Sequence, residues 1–274
     1  ARLETLGKDE FTAKLAKKDG KKIELGNGEE SGAVLAELEG APYKVAEVET
    51  KETKRNPAAP FTMSKLQQEA ARKLGYSAKK TMMLAQQLYE GVELGDEGPV
   101  GLISYMRTDS TRISEEAVAF ARDFIEKKYG PEFLPKSPNV YKTKKKSQDA
   151  HEAIRPTYFQ HSPDQVKKHL TPDQFKLYQL IWNRFIACQM THALIDQTRA
   201  QIQAKNYTFN ASGSTVKFPG FMAVYIEGQD IEEEKEEKLP ALKKDEPLSL
   251  LGLDPAQHFT QPPPRFTEAS LVKE

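Results

Sequence analysis

The sequence predicts an α+β fold in which a helical domain is inserted into a mostly β domain. Three observations carry this reading. Along the chain the pattern runs β, then α, then β, with boundaries near 62/63 and 191/192. The two β zones, 1–62 and 192–260, are most simply buried by pairing with each other, which brings the entry and exit of the helical zone 63–191 close together. Hydrophobic residues make up 38% and charged residues 29% of the 274, which is polar but sufficient for real cores.

Each zone has its own punctuation. In the first, Lys22-Ile23-Glu24-Leu25 and Tyr43-Lys44-Val45-Ala46-Glu47-Val48 alternate with period two, the pattern of half-buried strands. Asn56-Pro57-Ala58-Ala59-Pro60 then forms an extended connector. In the second zone, Ser64 opens a helical run through Leu66, Ala70 and Leu74 that Gly75 stops. Ser77 opens another, through Met82, Ala85, Leu88 and Tyr89, that Gly91 stops. Two short helices joined at Gly75-Tyr76 suggest a helix-turn-helix. Val100 to Tyr105 is expected as a short strand. Ser114 caps a helix whose first turn carries Glu115 and Glu116, a favourable placement for the helix dipole. Ser162-Pro163-Asp164-Gln165 and Thr171-Pro172-Asp173-Gln174 each combine a cap, a proline at the first helical position and a glutamine that completes a capping box. The third zone returns to strands at 198–202, 221–226 and 248–253. Asp230 to Lys238 is an acidic, solvated loop with a partner-binding role as its alternative. Gln261-Pro262-Pro263-Pro264-Arg265 is a stiff connector into a further helix, cut off after its second turn, so 261–274 is expected to begin another domain.

Composition excludes several classes. The single cysteine, Cys188, rules out a disulfide scaffold and a multi-thiolate zinc site within this chain, fits a reducing compartment, and is expected to be a small buried hydrophobe. No apolar stretch approaches membrane-span length. The first residues show neither an initiator Met nor a signal pattern, so both ends read as cut points. Lys+Arg and Asp+Glu are both 40, so any nucleic-acid surface must come from local segregation of charge.

Two polar clusters carry chemistry. Tyr105-Met106-Arg107-Thr108-Asp109-Ser110-Thr111-Arg112 lies between an apolar stretch and a helix cap, on a loop at the edge of a core. A phenol is a nucleophile once its proton has somewhere to go, and Arg107 offers a donor fork that matches phosphate oxygens, with Asp109 able to orient it. Phosphoryl transfer needs that pair: an attacking oxygen and a cation where charge builds up. Read locally, an ordinary polar loop with a half-buried tyrosine ring fits as well. The second cluster is His151-Glu152-Ala153-Ile154-Arg155-Pro156-Thr157. His151 can move protons near neutral pH and Arg155 is a second phosphate partner, on the same face only if the stretch is helical; Pro156 argues that it ends there. Read alone, His151 is more often a structural histidine. Just before it, Tyr141-Lys142-Thr143-Lys144-Lys145-Lys146 is the strongest basic run, either a nucleic-acid contact or a solvated loop.

Taken together, these stretches resemble a known family. Gly101 to Thr111 is similar to the active-site motif of type IA DNA topoisomerases, and His151 to Thr157 is similar to the family's second motif, in the right order and at plausible spacing. Pro60 to Ala70, Leu177 to Trp182 and Pro262 to Val272 resemble the bacterial topoisomerase I branch. Met106 agrees, since the topoisomerase III branch typically has Pro there. Met63 and Lys65 depart from a segment where relatives often have Thr.

The resemblance implies a winged-helix-like helical domain inserted into a β arch that lets it swing away and open a gate. It implies that Tyr105 attacks a phosphate of single-stranded DNA to form a 5′-phosphotyrosine link, and that the free 3′-hydroxyl reverses the attack to relax negative supercoils without ATP. Arg107 would stabilise the scissile phosphate and His151 would bind it or sit in its proton network, with Asp109, Glu152 and Arg155 as supporting or DNA-binding residues. Mg2+ would be held by an acidic domain outside this chain, with no metal ligand here, so this stretch alone is expected to be inactive. The expected partner of the whole enzyme is single-stranded DNA in the cytoplasm, with no membrane, and the enzyme is expected to be a monomer. A non-catalytic helix-turn-helix module is the alternative.

Overall fold

The computed structural model describes residues 1–141, 151–228 and 239–274. The acidic stretch 230–238 and the lysines of 142–146 lie outside the described residues. In chain order the elements are β1 (Arg2–Glu4), β2 (Glu10–Thr12), β3 (Lys14–Lys18), β4 (Lys21–Lys22), α1 (Gly28–Leu38), β5 (Tyr43–Arg55), α2 (Met63–Leu74), α3 (Ala78–Glu90), β6 (Val92–Glu93) and β7 (Pro99–Val100). There follow α4 (Glu115–Tyr129), α5 (Pro163–Val166), α6 (Pro172–Cys188), β8 (Ala193–Ala204), β9 (Tyr207–Phe218), β10 (Pro247–Gly252) and α7 (Glu268–Lys273). The fold is mixed α+β, and its described residues divide into two compact units, each discontinuous in sequence.

The first unit holds Ala1–Lys54, Leu194–Phe218 and the described part of the stretch ending at Pro263. An eight-stranded antiparallel sheet in the order β2-β1-β10-β5-β8-β9-β3-β4 is its frame. The long β8–β9 ribbon turns over at Lys205-Asn206, with Lys205 at φ 51°, and Ala204 pairs with Tyr207. Asp19 and Gly20, both at positive φ, turn β3 into β4, as a tight two-residue hairpin requires. Inward-facing Leu3, Phe11, Tyr43, Val45, Ile202 and Phe209 pack with Val34 and Leu38 of α1 to form the core. The strand expected at 22–25 ends at Lys22, and residues 23–27 are irregular up to α1; there Asn27 Oδ1 accepts from the Glu30 N–H at 2.9 Å, while Glu30 reaches back to the Gly26 N–H at 2.7 Å. That reciprocal cap starts the helix.

The second unit holds Arg55–Ala193, Pro219 to Gly228 among its described residues, and Pro264–Glu274. Its core gathers around α6, where Leu177, Tyr178, Ile181, Trp182, Phe185 and Ile186 are buried. The capping boxes at Ser162 and Thr171 both form, and Ser77 and Ser114 cap α3 and α4. Helix α2 starts two residues earlier than Ser64 suggested, because Thr62 is the residue whose hydroxyl accepts from Lys65. Gly75, at φ 67°, ends it in the left-handed conformation and closes the helix-turn-helix. Residues 55–62 belong with this unit, with Pro57, Pro60 and Phe61 buried. So does 264–274, where α7 lies against α2 and the Glu268 carboxylate accepts from the Ala78 N–H at 2.8 Å.

The strand expected at 221–226 is absent. Pro219 leads into a single 3-10 turn, Gly220–Ala223, and Phe221 and Tyr225 point into the helical core instead of pairing. A buried carboxylate holds this return segment. Glu69 on α2 is fully buried and accepts from the Tyr225 hydroxyl, from the Gly228 N–H at 2.9 Å and from Arg72 at 3.1 Å. Burial, reinforced by the bond to Glu69, raises the Tyr225 phenol above its ordinary pKa and keeps it a donor. Arg184 of α6 lies over the rings of Phe61 and Tyr225 and donates to the Ala59 carbonyl at 2.6 Å.

Glu69→Ala leaves the buried Tyr225 hydroxyl and the Gly228 N–H without their acceptor, and urea unfolding should show a loss of about 3 kcal/mol. Glu69→Gln, which keeps an acceptor oxygen, should cost about 1 kcal/mol. Burial pushes the Cys188 thiol up to about 12, so thiolate is scarce at neutral pH. Iodoacetamide at pH 8 should leave the folded protein unlabelled and modify it only once denaturant is added.

Candidate active site

The polar loop after Val100 is shaped by alternation. Met106, Thr108 and Ser110 point inward, at 0%, 5% and 2% exposure, while Tyr105, Arg107 and Asp109 point out. The buried members are tied down. The Thr108 carbonyl accepts from the Met63 N–H at 2.8 Å, its hydroxyl accepts from the Ser110 N–H at 3.1 Å, and the Ser110 hydroxyl accepts from the Arg112 N–H at 3.2 Å. Chemistry-bearing side chains thus project from a loop whose other face is part of the core.

A second stretch, 153–157, runs antiparallel beside it. Ile103 bridges Pro156, and Phe61 bridges Ile154. The Ser104 N–H donates to the Arg155 carbonyl at 2.9 Å, and the Thr157 N–H donates to the Leu102 carbonyl at 3.1 Å. The Ser104 hydroxyl donates to the Ala153 carbonyl at 2.7 Å and accepts from the Arg155 N–H at 2.9 Å. The strand expected from Val100 to Tyr105 therefore shrinks to β7 and one bridge, since its neighbour is irregular and Pro156 has no N–H to extend a ladder. The helix considered for His151 to Arg155 does not form either. The Ala153 and Ile154 N–H groups donate to the Arg112 and Phe61 carbonyls, not back along their own chain.

This pairing brings Tyr105 and His151 together, with ring centroids 5.6 Å apart and planes at 43°. Tyr105 is 38% exposed. Its ring also meets Tyr89 of α3, at 5.4 Å and 64°. Arg107 is exposed and has no hydrogen-bond or ion-pair partner among the described residues, so its donors are available to an anion. Asp109 is exposed too, and the orienting contact expected from it to Arg107 is not formed.

Arg155 and Glu152 behave differently. Two guanidinium nitrogens of Arg155 lie 2.7 Å from Glu152 Oε2, a third donates to the Pro156 carbonyl at 2.8 Å, and Nη2 also reaches the Ser114 hydroxyl at 3.4 Å. The side chain is 16% exposed. Such a saturated guanidinium braces the second stretch against the cap of α4 and has little left for a phosphate. Sequence reasoning missed the clamp made by Ser104, which has no motif beyond its place beside Tyr105. It read Tyr89 only as part of the helical spacing of α3 and gave it no place at the site, whereas the ring is 40% exposed beside Tyr105.

A cavity of about 650 Å³ lies nearby, lined by Arg112, Arg122 and Tyr141, but Tyr105 is not part of it. Tyr105 is 38% exposed, so an extended polymer can reach its ring. Among the described residues no group of three or more His, Cys, Asp or Glu could hold a metal ion, and no helix is long and apolar enough to cross a membrane.

Residues 2–274 match the family described as DNA topoisomerase. DNA topoisomerase 1 of Rickettsia felis is 49% identical over 271 residues, covering 96% of this chain and 35% of that protein. The full-length topoisomerase I structure from Thermotoga maritima superposes with a TM-score of 0.73 at 35% identity, over 99% of this chain and 42% of that one. The chain thus spans about a third of the length of the curated relative and about two fifths of the solved one. This chain is part of a type IA DNA topoisomerase of the bacterial topoisomerase I kind and belongs to that family.

Proposed function

We propose that this region carries the nucleophile of a DNA topoisomerase that cleaves and rejoins one DNA strand to relax negative supercoils. The observation that supports it most is the meeting of Tyr105 and His151 from separate stretches of chain, with Arg107, exposed and without a partner among the described residues, two residues along the Tyr105 loop. In this reading the Tyr105 phenol oxygen attacks a backbone phosphate of single-stranded DNA. The new O–P bond links tyrosine to the 5′ side of the break, and the P–O3′ bond breaks. The phenol proton is given up, and the leaving 3′-oxygen takes one. Attack by the 3′-hydroxyl reverses every step. One phosphodiester is exchanged for another, so the bond energy is kept and no ATP is needed.

Arg107 stabilises the charge that builds on the non-bridging oxygens in the transition state. His151 binds the phosphate or serves its proton network. Glu152 and Arg155 act indirectly, by holding the stretch that presents His151, and Asp109 contributes to the DNA-facing rim. The helical unit is a winged-helix-like domain inserted in a β arch, whose movement admits the passing strand. The family typically uses Mg2+. Among the described residues no group of three or more His, Cys, Asp or Glu gathers to hold the ion; the family resemblance assigns its ligands to an acidic domain outside this chain, and no step above runs through it. The whole enzyme works on DNA in the cytoplasm.

Tyr105→Phe in the full-length enzyme keeps both ring contacts and removes only the attacking oxygen. Covalent trapping on a single-stranded oligonucleotide should fall to background while DNA affinity is retained. An undiminished adduct would mean that this region is a non-catalytic helix-turn-helix module, or that another residue attacks. Arg107→Ala should slow single-turnover cleavage by roughly 100-fold, the scale of losing one preorganised donor. A rate within threefold of the parent would remove Arg107 from the reaction.

A further inference from the structure

We propose that Tyr89 is a positioning residue for the nucleophile, its ring packed on the Tyr105 ring so that the phenol is held in one orientation; this rests on the assignment of Tyr105 above. A tyrosine 38% exposed on a loop ordinarily samples several staggered rotamers. Here two rings narrow the choice: His151, which belongs to the reacting set, and Tyr89, which does not. The Tyr89 contact has the tilted, edge-directed geometry that aromatic pairs favour, at a centroid distance of 5.4 Å and 64°.

Tyr89 is itself fixed relative to the loop by contacts at backbone level. It occupies the last turn of α3, next to fully buried Leu88. The Leu88 carbonyl accepts from the Leu102 N–H at 2.7 Å. Gly101 passes so close that a Cβ there would lie 2.5 Å from the Tyr89 carbonyl oxygen. Only glycine lets the chain entering the loop approach the helix in this way. The end of α3 and the approach to Tyr105 therefore form one rigid junction, and Tyr89 and Tyr105 project from its two sides.

The ring, not the hydroxyl, carries the effect: among the described residues the Tyr89 hydroxyl makes no hydrogen bond. The side chain is 40% exposed, which is a poor use of a large aromatic as core filling but a good one as a guide beside a surface nucleophile. Holding a reacting atom in near-attack geometry contributes to the rate of the chemical step and leaves substrate affinity alone.

The test uses the full-length enzyme with Tyr89→Phe, Tyr89→Leu and Tyr89→Ala, with Tyr105→Phe as control. Single-turnover cleavage of a single-stranded oligonucleotide is measured at saturating enzyme, and DNA affinity is measured separately by fluorescence anisotropy. Tyr89→Phe should cleave within twofold of the parent. Tyr89→Ala and Tyr89→Leu should each slow cleavage by about 10-fold at unchanged affinity. If Tyr89→Ala does not fold, Tyr89→Leu, which keeps the helix and apolar bulk, is decisive by itself. Parental cleavage in the Leu variant overturns the proposal. So does a loss confined to affinity, which would make Tyr89 a platform for DNA bases, or a loss in the Phe variant equal to that in Ala, which would assign the effect to the hydroxyl. If Tyr105→Phe removes the adduct while the Tyr89 variants cleave normally, only the positioning role fails. If the adduct survives Tyr105→Phe, the assignment of the nucleophile fails and takes this proposal with it.

Discussion

The pairing of two irregular stretches, 101–104 and 153–157, is the constraint on which the candidate site depends. Neither stretch is regular secondary structure, so neither could place a side chain accurately by itself. Ser104 joins them at three points: its N–H meets the Arg155 carbonyl, its hydroxyl meets the Ala153 carbonyl, and the same hydroxyl accepts from the Arg155 N–H. Tyr105 follows Ser104 directly, and His151 lies two residues before Ala153. The clamp thus sets the spacing between the rings while remaining outside the chemistry itself.

Burial gives the clamp its stiffness. Leu102, Ile103 and Met106 on one stretch and Ala153 and Ile154 on the other are all at most 1% exposed. Their backbone polar groups, removed from water, must be paired within the protein. The bonds from Ala153 to Arg112 and from Ile154 to Phe61 satisfy that demand and attach the second stretch to the start of α4 and the approach to α2. Arg155, saturated by Glu152, Pro156 and Ser114, extends the same bracing to charged side chains. Arg107, two residues beyond Tyr105, has no partner among the described residues. This contrast between a satisfied and an available arginine separates a supporting role from a phosphate-facing one more clearly than residue type does.

The helical unit serves this arrangement. Helix α6 supplies the apolar mass, α2 and α3 supply the wall against which the loop lies, and the Glu69 network fixes the return segment to the same body. These parts follow from ordinary physics: capping boxes, a glycine in the left-handed conformation, an amphipathic helix and a buried carboxylate with all its donors in place. The function proposed above uses the surface that remains once those demands are met.

Much of this was legible in the amino-acid order. Caps at Ser77, Ser114, Ser162 and Thr171, the stop at Gly75, the long apolar helix of α6 and the burial of Cys188 are local effects, set within a few residues, so the chain declares them. The family motifs around Tyr105 and His151 were likewise visible as strings. Two local signals went unused: Asn27 to Glu30 is a helix start hidden among glycines, and Asp19-Gly20 is a hairpin turn. Other features were decided only by tertiary contact. The stretch 221–226 alternates like a strand but turns inward, because Phe221 and Tyr225 find the helical core before any strand partner. Tyr89 shares the helical spacing of buried Leu88 and Ala85 but stands at the surface against the Tyr105 ring, a partner that only the fold supplies. Arg155 and Arg107 are chemically identical in sequence, and only the neighbours that folding supplied made one a brace and left the other without a partner among the described residues. Local propensity acts over a few residues, whereas partner choice depends on which distant groups arrive at the same place, and that information exists only in the folded chain.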